Sequence, residues 1–275
     1  MNKTKIEYLN YTWNPIKMKC TPVSKGCRNC WHLAMAKRLA GNPSIDRNSQ
    51  TAYMGGPFIL DSKELEAPLH LKKPARIGVQ FMGDLLHDSI DGFWISAVWG
   101  TMQKCPQHTF FLLTKRPERF LKLTPPLPIL SNVWFGVSVE DQPTADERIQ
   151  ILLQIPAAHH FISIEPMIGP VDLHYWLPDL IARAIGKTID IDVTESVLTW
   201  CIVGAETGPH ARPLHPDWVR SIRDQCQAAG VPFFFKSWGD GIEQGCGLKG
   251  HPMHDAGWSR KGHLLDGKEL REFPK

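Results

Sequence analysis

The chain has 275 residues, 43% of them hydrophobic and 21% charged, with a formal net charge of +3. That balance allows a sizeable core and excludes a disordered or low-complexity chain. The charge is small, and no run of five or more Lys and Arg appears, so composition alone demands no polyanionic partner.

The opening residues, Met1 to Glu7, hold no apolar stretch of the secretory kind, and no apolar run approaches membrane-spanning length. Seven cysteines is an odd number, and three of them are set close together, unlike a secreted disulfide framework. A cytoplasmic location without membrane association is expected.

Glu7 to Pro15 reads as a first strand, rich in Tyr, Thr and Trp and closed by Asn-Pro. Cys20-Thr-Pro-Val-Ser-Lys-Gly-Cys27-Arg-Asn-Cys30 follows, placing three thiols within eleven residues in the spacing C-x6-C-x2-C. A helix over Trp31–Ala40 comes next, so Cys27 and Cys30 stand at its mouth. Three thiolates suit a soft metal centre, and three protein ligands leave a fourth position open. Spacing alone leaves zinc and iron–sulfur both open. Zinc would draw a fourth ligand from His32 or Cys246.

Residues 42–75 read as an irregular, partly ordered excursion without chemical signals. From Arg76 short apolar runs alternate with amphipathic helices. The runs begin at Ile77, Thr109, Val133, His160, Trp200 and Val231, and helices are expected over Asp91–Lys104, Pro117–Leu123, Thr144–Gln154 and Pro216–Ala229. This is the βα rhythm of a parallel sheet. With seven candidate strands, a full or partial (β/α) barrel over residues 1–238 fits best. Residues 173–199 form a second inserted loop, with a helix over Asp179–Ile185 and a small strand over Ile189–Val193. A tail over 239–275 contains a hairpin, Leu264–Leu270, turned by Asp-Gly.

Nearly every apolar run ends in a polar or glycine cluster: Met82-Gly83-Asp84, Thr114-Lys115-Arg116, Ser138 with Glu140, Glu165, Gly204 to Glu206, and Lys236 to Trp238. In parallel barrels the carboxyl ends of the strands share one rim, where active sites are built. Glu165 stands out, since a carboxylate directly after Phe-Ile-Ser-Ile needs a partner. Asp91 and Asp141 read as helix caps. Cys105, Cys201 and Cys226 read as packing residues, and Met18 and Met82 as core fillers. The twelve histidines form no zinc protease or deaminase motif.

Thr12-Trp-Asn-Pro15, Leu113-Thr-Lys-Arg-Pro117, Phe135-Gly-Val-Ser138, Ile162-Ser-Ile-Glu-Pro166, Val203-Gly-Ala-Glu-Thr-Gly208 with Ala211-Arg-Pro213, Phe233-Phe-Phe-Lys236 and Leu265-Asp-Gly267 are spread nearly end to end along the chain. Together with the three cysteines they resemble the phage-associated three-cysteine domain family of unknown function. That family is similar to radical S-adenosylmethionine (SAM) enzymes, whose barrels carry a 4Fe-4S cluster on three cysteines after the first strand. Their usual spacing is C-x3-C-x2-C; here the first gap is six.

The resemblance implies a barrel of radical SAM type with a 4Fe-4S cluster on Cys20, Cys27 and Cys30, S-adenosyl-L-methionine as co-substrate, and an electron donor as partner. It implies that Met82, Gly83 and Asp84 meet the amino end of SAM. Ser138 and Glu140 would meet its ribose or carboxylate, and Gly204 and Glu206 the adenine side. Lys115, Glu165 and Lys236 would then be catalytic, with Arg116 and Arg212 binding substrate. Lys115, Arg116 and Arg212 suit a phosphate-bearing molecule, a nucleotide or nucleic acid. The alternative is a non-enzymatic, zinc-stabilised nucleic-acid-binding module gripping the backbone with Lys17, Lys19, Lys25, Arg28, Lys115 and Arg116.

Overall fold

The structure, a computed structural model, describes residues 1–178, 197–242, 249–260 and 262–274. The helix expected over 179–185, the strand over 189–193 and Cys246 lie outside them. The elements in chain order are β1 (Asn2–Lys3), β2 (Tyr11–Trp13), β3 (Ile16–Lys17), α1 (Trp31–Ala40), α2 (Arg47–Met54), β4 (Ile59–Leu60), α3 (Ser62–Glu66) and β5 (Arg76–Val79). Then come α4 (Gly92–Gln103), β6 (Thr109–Thr114), α5 (Glu118–Leu121), β7 (Val133–Val139), α6 (Gln142–Leu152) and β8 (His159–Ile164). Beyond these lie β9 (Leu198–Gly204), α7 (Pro216–Ala229), β10 (Phe233–Ser237), α8 (Pro252–Asp255), β11 (Leu264–Leu265) and β12 (Lys268–Glu269).

The fold is mixed α/β around a mostly parallel sheet of eight strands in the order β1-β2-β5-β6-β7-β8-β9-β10. Each long strand therefore adds beside its predecessor. The described chain divides into two compact units, one of residues 1–137 with 155–159 and one of residues 138–154 with 160–275.

In the first unit β2, β5, β6 and β7 pair in parallel, with Trp13 opposite Val79, Val79 opposite Leu112 and Leu112 opposite Phe135. All four of these residues are buried. Strands covered on both faces have no need of polar alternation, which is why the runs read as continuous apolar stretches. The first strand is shorter than the expected Glu7–Pro15. Ile6 to Leu9 closes a turn, with the Leu9 amide donating to the Ile6 carbonyl, and pairing starts only at Tyr11.

The excursion over 42–75, expected to be partly ordered, carries α2, β4 and α3, elements the sequence reading did not place. Helices α2 and α3 are capped by Asp46 and Asp61, whose carboxylates accept the Ser49 and Glu64 amides at 2.9 and 3.0 Å. β4 pairs antiparallel with β3, the segment leading into the cysteine loop. Tyr53 of α2 joins Ala36 and Ala40 of α1 in a small core that Met82 covers. The excursion is thus packed on α1 and on the strand that leads into the cysteine loop.

In the second unit β8, β9 and β10 are parallel, with Ile162 opposite Cys201 and Cys201 opposite Phe233. α7 covers the unit with Val219, Ile222, Cys226 and Ala229, and Cys226 meets Cys201. α6 begins at Gln142, two residues before the expected start, because Asp141 and Thr144 form a reciprocal cap. The tail packs within this unit: the Trp238 indole donates to the Leu264 carbonyl at 2.8 Å, and Trp200 to Glu272 at 2.9 Å. Its hairpin turns at Asp266 and Gly267, with φ of 52° and 74°, as a two-residue Asp-Gly turn requires.

Gly83 sits at φ 141°, and a β-carbon there would lie 2.5 Å from the Met18 sulfur. Both strain and overlap follow from any side chain. Gly83→Ala is expected to destabilise the protein by about 2–4 kcal/mol, read as a lower denaturant midpoint at unchanged slope.

Candidate functional site

Arg116 anchors the site of the first unit. It follows β6, is only 3% exposed, and directs its guanidinium into the protein. Nη1 donates to Asp84 Oδ2 at 3.2 Å and lies 3.8 Å from Cys20 Sγ. Nη2 donates to the carbonyl and hydroxyl of Thr21 at 2.9 and 3.0 Å.

Asp84, which follows β5, accepts from the Leu86 amide and the Thr114 hydroxyl on one oxygen, at 3.0 and 2.8 Å. The other oxygen takes the Lys115 amide at 3.1 Å besides Arg116. A buried charge pair is tolerable when both members are hydrogen-bonded in this way. The ends of β5 and β6 are therefore joined to the cysteine loop, which itself follows β2 and β3.

The loop turns through a short 3-10 segment, Lys25–Cys27, and Cys30 stands at the N-terminus of α1. All six cysteines of the described residues are free thiols. Burial pushes the Cys20 thiol up to about 11, with the Asp84 charge adding to the rise. Cys27 goes the other way. Burial raises it, but hydrogen bonds from Val23 and Ser24 and the Lys115 charge outweigh that and leave it below the ordinary thiol value. Cys30 is raised by burial despite backbone hydrogen bonds from His32 and Leu33 and the same Lys115 charge. Cys27 also shifts both of its neighbours, so the three thiols lie within electrostatic reach of one another.

The donor set is soft and reduced, and each thiol has a polar or cationic neighbour, which fits a thiolate-held metal centre in kind. Among the described residues, however, no group of three or more Cys, His, Asp or Glu side chains is gathered closely enough to hold a metal ion. His32, considered above as a zinc ligand, accepts the Cys20 amide on Nε2 at 3.0 Å, and its buried Nδ1 has no hydrogen-bond partner.

Of the residues expected to meet SAM or substrate in this unit, Met82 lies on the small α1–α2 core and Gly83 is pressed against Met18. Asp84 and Arg116 are spent on each other and on the loop, so Arg116 faces the protein rather than a cavity. Lys115 reaches Cys27 and Cys30 electrostatically. Sequence reasoning passed over Thr21, His87 and Gln80. The His87 ring contacts the Thr21 hydroxyl at 2.8 Å. Gln80, fully buried at φ 52°, grips both the amide and the carbonyl of Ile16 at 3.0 and 2.8 Å. The one available signal was a polar residue ending each apolar run.

In the second unit Glu165 follows β8, and the Lys236 ammonium lies 2.5 Å from its Oε2. Ser163 donates to Oε1 at 3.2 Å. Gly204, at the end of β9, leaves the space this carboxyl fills, since a β-carbon there would stand 3.1 Å from Glu165 Cγ. The ends of three adjacent strands thus meet at one acid–base pair that solvent still reaches. Glu140 is fully buried against Arg148, which also donates to the Ser138 carbonyl at 2.7 Å. Glu206 accepts the Arg212 amide and Nε at 2.8 and 3.0 Å.

These elements define an α/β protein with a mostly parallel sheet and a thiol-bearing loop placed at strand ends. Residues 3–274 match the family described as protein of unknown function DUF5131, and the chain belongs to that family. No curated protein and no solved structure matches the chain. Among the described residues no helix is long and apolar enough to cross a membrane.

Burial holds His32 down to about 4, below its ordinary 6.5, so folding favours the neutral ring. The unfolded chain binds the proton more readily, and this stabilising contribution is complete above pH 6.5 and lost as pH falls towards 4. The expected loss is about 3 kcal/mol across that window. Unfolding midpoints measured from pH 7 to 4 should fall more steeply for the wild type than for His32→Gln.

Proposed function

We propose that the protein is a radical SAM-type enzyme, with Cys20, Cys27 and Cys30 holding a 4Fe-4S cluster. The observation that carries this reading is the free three-thiol loop, which follows the first parallel strand and is tied through Arg116 to the ends of the next two. The order in which each strand adds beside its predecessor supports a partial (β/α) barrel rather than a doubly wound sheet, whose order reverses. Cys20, Cys27 and Cys30 would hold the cluster, which with S-adenosyl-L-methionine would supply one-electron radical chemistry, the difficult chemistry being the cofactor's.

The chain's own residues orient, hold protons and exclude water. Arg116 and Asp84 fix the loop that bears Cys20. Lys115 offsets the negative charge of deprotonated Cys27 and Cys30. In the second unit Glu165 and Lys236 form a pair able to hold or move a proton at Glu165 Oε2, with Ser163 orienting the other oxygen. Glu140 and Glu206 are engaged with Arg148 and Arg212. The occupied Nε2 of His32 argues against it as a fourth zinc ligand. A phosphate-bearing substrate and an external electron donor remain part of the proposal.

Protein purified without oxygen is expected to contain iron and sulfide and to be brown. Cys20→Ala, Cys27→Ala and Cys30→Ala should each lose the colour, and Cys105→Ala should keep it. Dithionite with S-adenosylmethionine should release 5′-deoxyadenosine slowly from the wild type and from Glu165→Gln. Stoichiometric zinc without iron, retained under strict anaerobiosis, would refute the reading and support the zinc-stabilised module instead.

A further inference from the structure

The first unit carries a cleft of about 980 Å³ beside the cysteine loop. That volume is at the upper end of ordinary small-ligand sites. We propose that this cleft is a binding site for a nucleoside monophosphate, with the base against Trp94 and Phe58 and the phosphate at Lys19 and Thr21. Cys20 also lines the cleft, but the recognition proposed rests on Lys19, Thr21, Phe58 and Trp94 and on no thiol.

The polar side of the cleft is a donor surface. Lys19 is exposed, and its ammonium has no partner among the described residues. The Thr21 hydroxyl is more telling. The Ser89 amide donates to His87 Nδ1 at 3.1 Å, so the ring proton lies on Nε2 and points at Thr21 Oγ1, 2.8 Å away. Arg116 Nη2 donates to the same oxygen at 3.0 Å. Both acceptor positions of the hydroxyl are thereby filled, and its own proton remains for a ligand. An ammonium and a donor-only hydroxyl two residues apart call for an anionic acceptor. Asp91, the acid among the described residues of the wall, is occupied at the start of α4 by the Phe93 amide at 2.7 Å.

The rest of the wall is apolar and aromatic. Trp94 and Phe58 are only half-buried, and Met54 is 63% exposed. Phe58 is held in place by the His87 ring, 5.0 Å away in an edge-on arrangement. Partly open aromatic rings beside a flexible methionine suit a flat heteroaromatic body. An aromatic ring joined to an anion by a short spacer satisfies both sides.

The test is calorimetric titration of the full chain with AMP, adenosine and inorganic phosphate. AMP is expected to bind once per chain, adenosine about tenfold more weakly, and phosphate more weakly still. Lys19→Ala, a change at an exposed and unpaired position, should lower AMP affinity to that of adenosine while leaving adenosine unchanged. Trp94→Ala should weaken both. No detectable AMP binding at millimolar concentration would overturn the proposal. So would phosphate binding as tightly as AMP, or AMP affinity unchanged in Lys19→Ala.

Discussion

The ion pair between Asp84 and Arg116 is the constraint on which the first unit's site depends. Both side chains are almost fully buried, 4% and 3% exposed as residues, so neither charge has water to solvate it. Asp84 is satisfied by a hydroxyl, two amides and the guanidinium, and Arg116 directs Nη1 and Nη2 at Cys20 and Thr21, while its buried Nε has no hydrogen-bond partner. Removing one member of such a pair leaves an uncompensated buried charge, a loss of about 3–5 kcal/mol. That cost is what holds a glycine- and proline-containing loop against two strand ends.

The two units handle their charges differently. In the first, a buried cation is shared between a carboxylate, a backbone carbonyl and a thiol. In the second, each strand-end acid has its own basic partner: Glu140 with Arg148, Glu165 with Lys236, and Glu206 with Arg212. Glu140 is sealed away, whereas Glu165 and Lys236 keep access to solvent. Of the two, only the Glu165–Lys236 pair can therefore exchange protons with solvent.

How much of this was legible in the sequence depended on range. β6, β7, β9 and α7 follow from local patterns, since a strand buried on both faces is uniformly apolar and α7 repeats its buried positions at helical spacing. The excursion over 42–75 was read as such, but its helices were not placed, because α2 and α3 are short and polar and owe their place to β3–β4 pairing and the Tyr53 contact. The three cysteines were visible as spacing. The inward turn of Arg116 was not, because its partner lies 32 residues earlier and nothing local distinguishes a buried arginine from one facing a cavity. The Glu165–Lys236 pair spans 71 residues, and only the carboxylate's position after an apolar run hinted at it.

If the buried pair fixes the thiol loop, weakening the guanidinium's fork should loosen that loop before anything else. Hydrogen exchange on Arg116→Lys tests this most directly, because lysine keeps the charge beside Asp84 but loses the paired donors to Thr21. The amides of residues 20–30 are predicted to exchange about tenfold faster or more, with β5 and β6 protected as in the wild type. Unchanged protection across residues 20–30 would contradict the account.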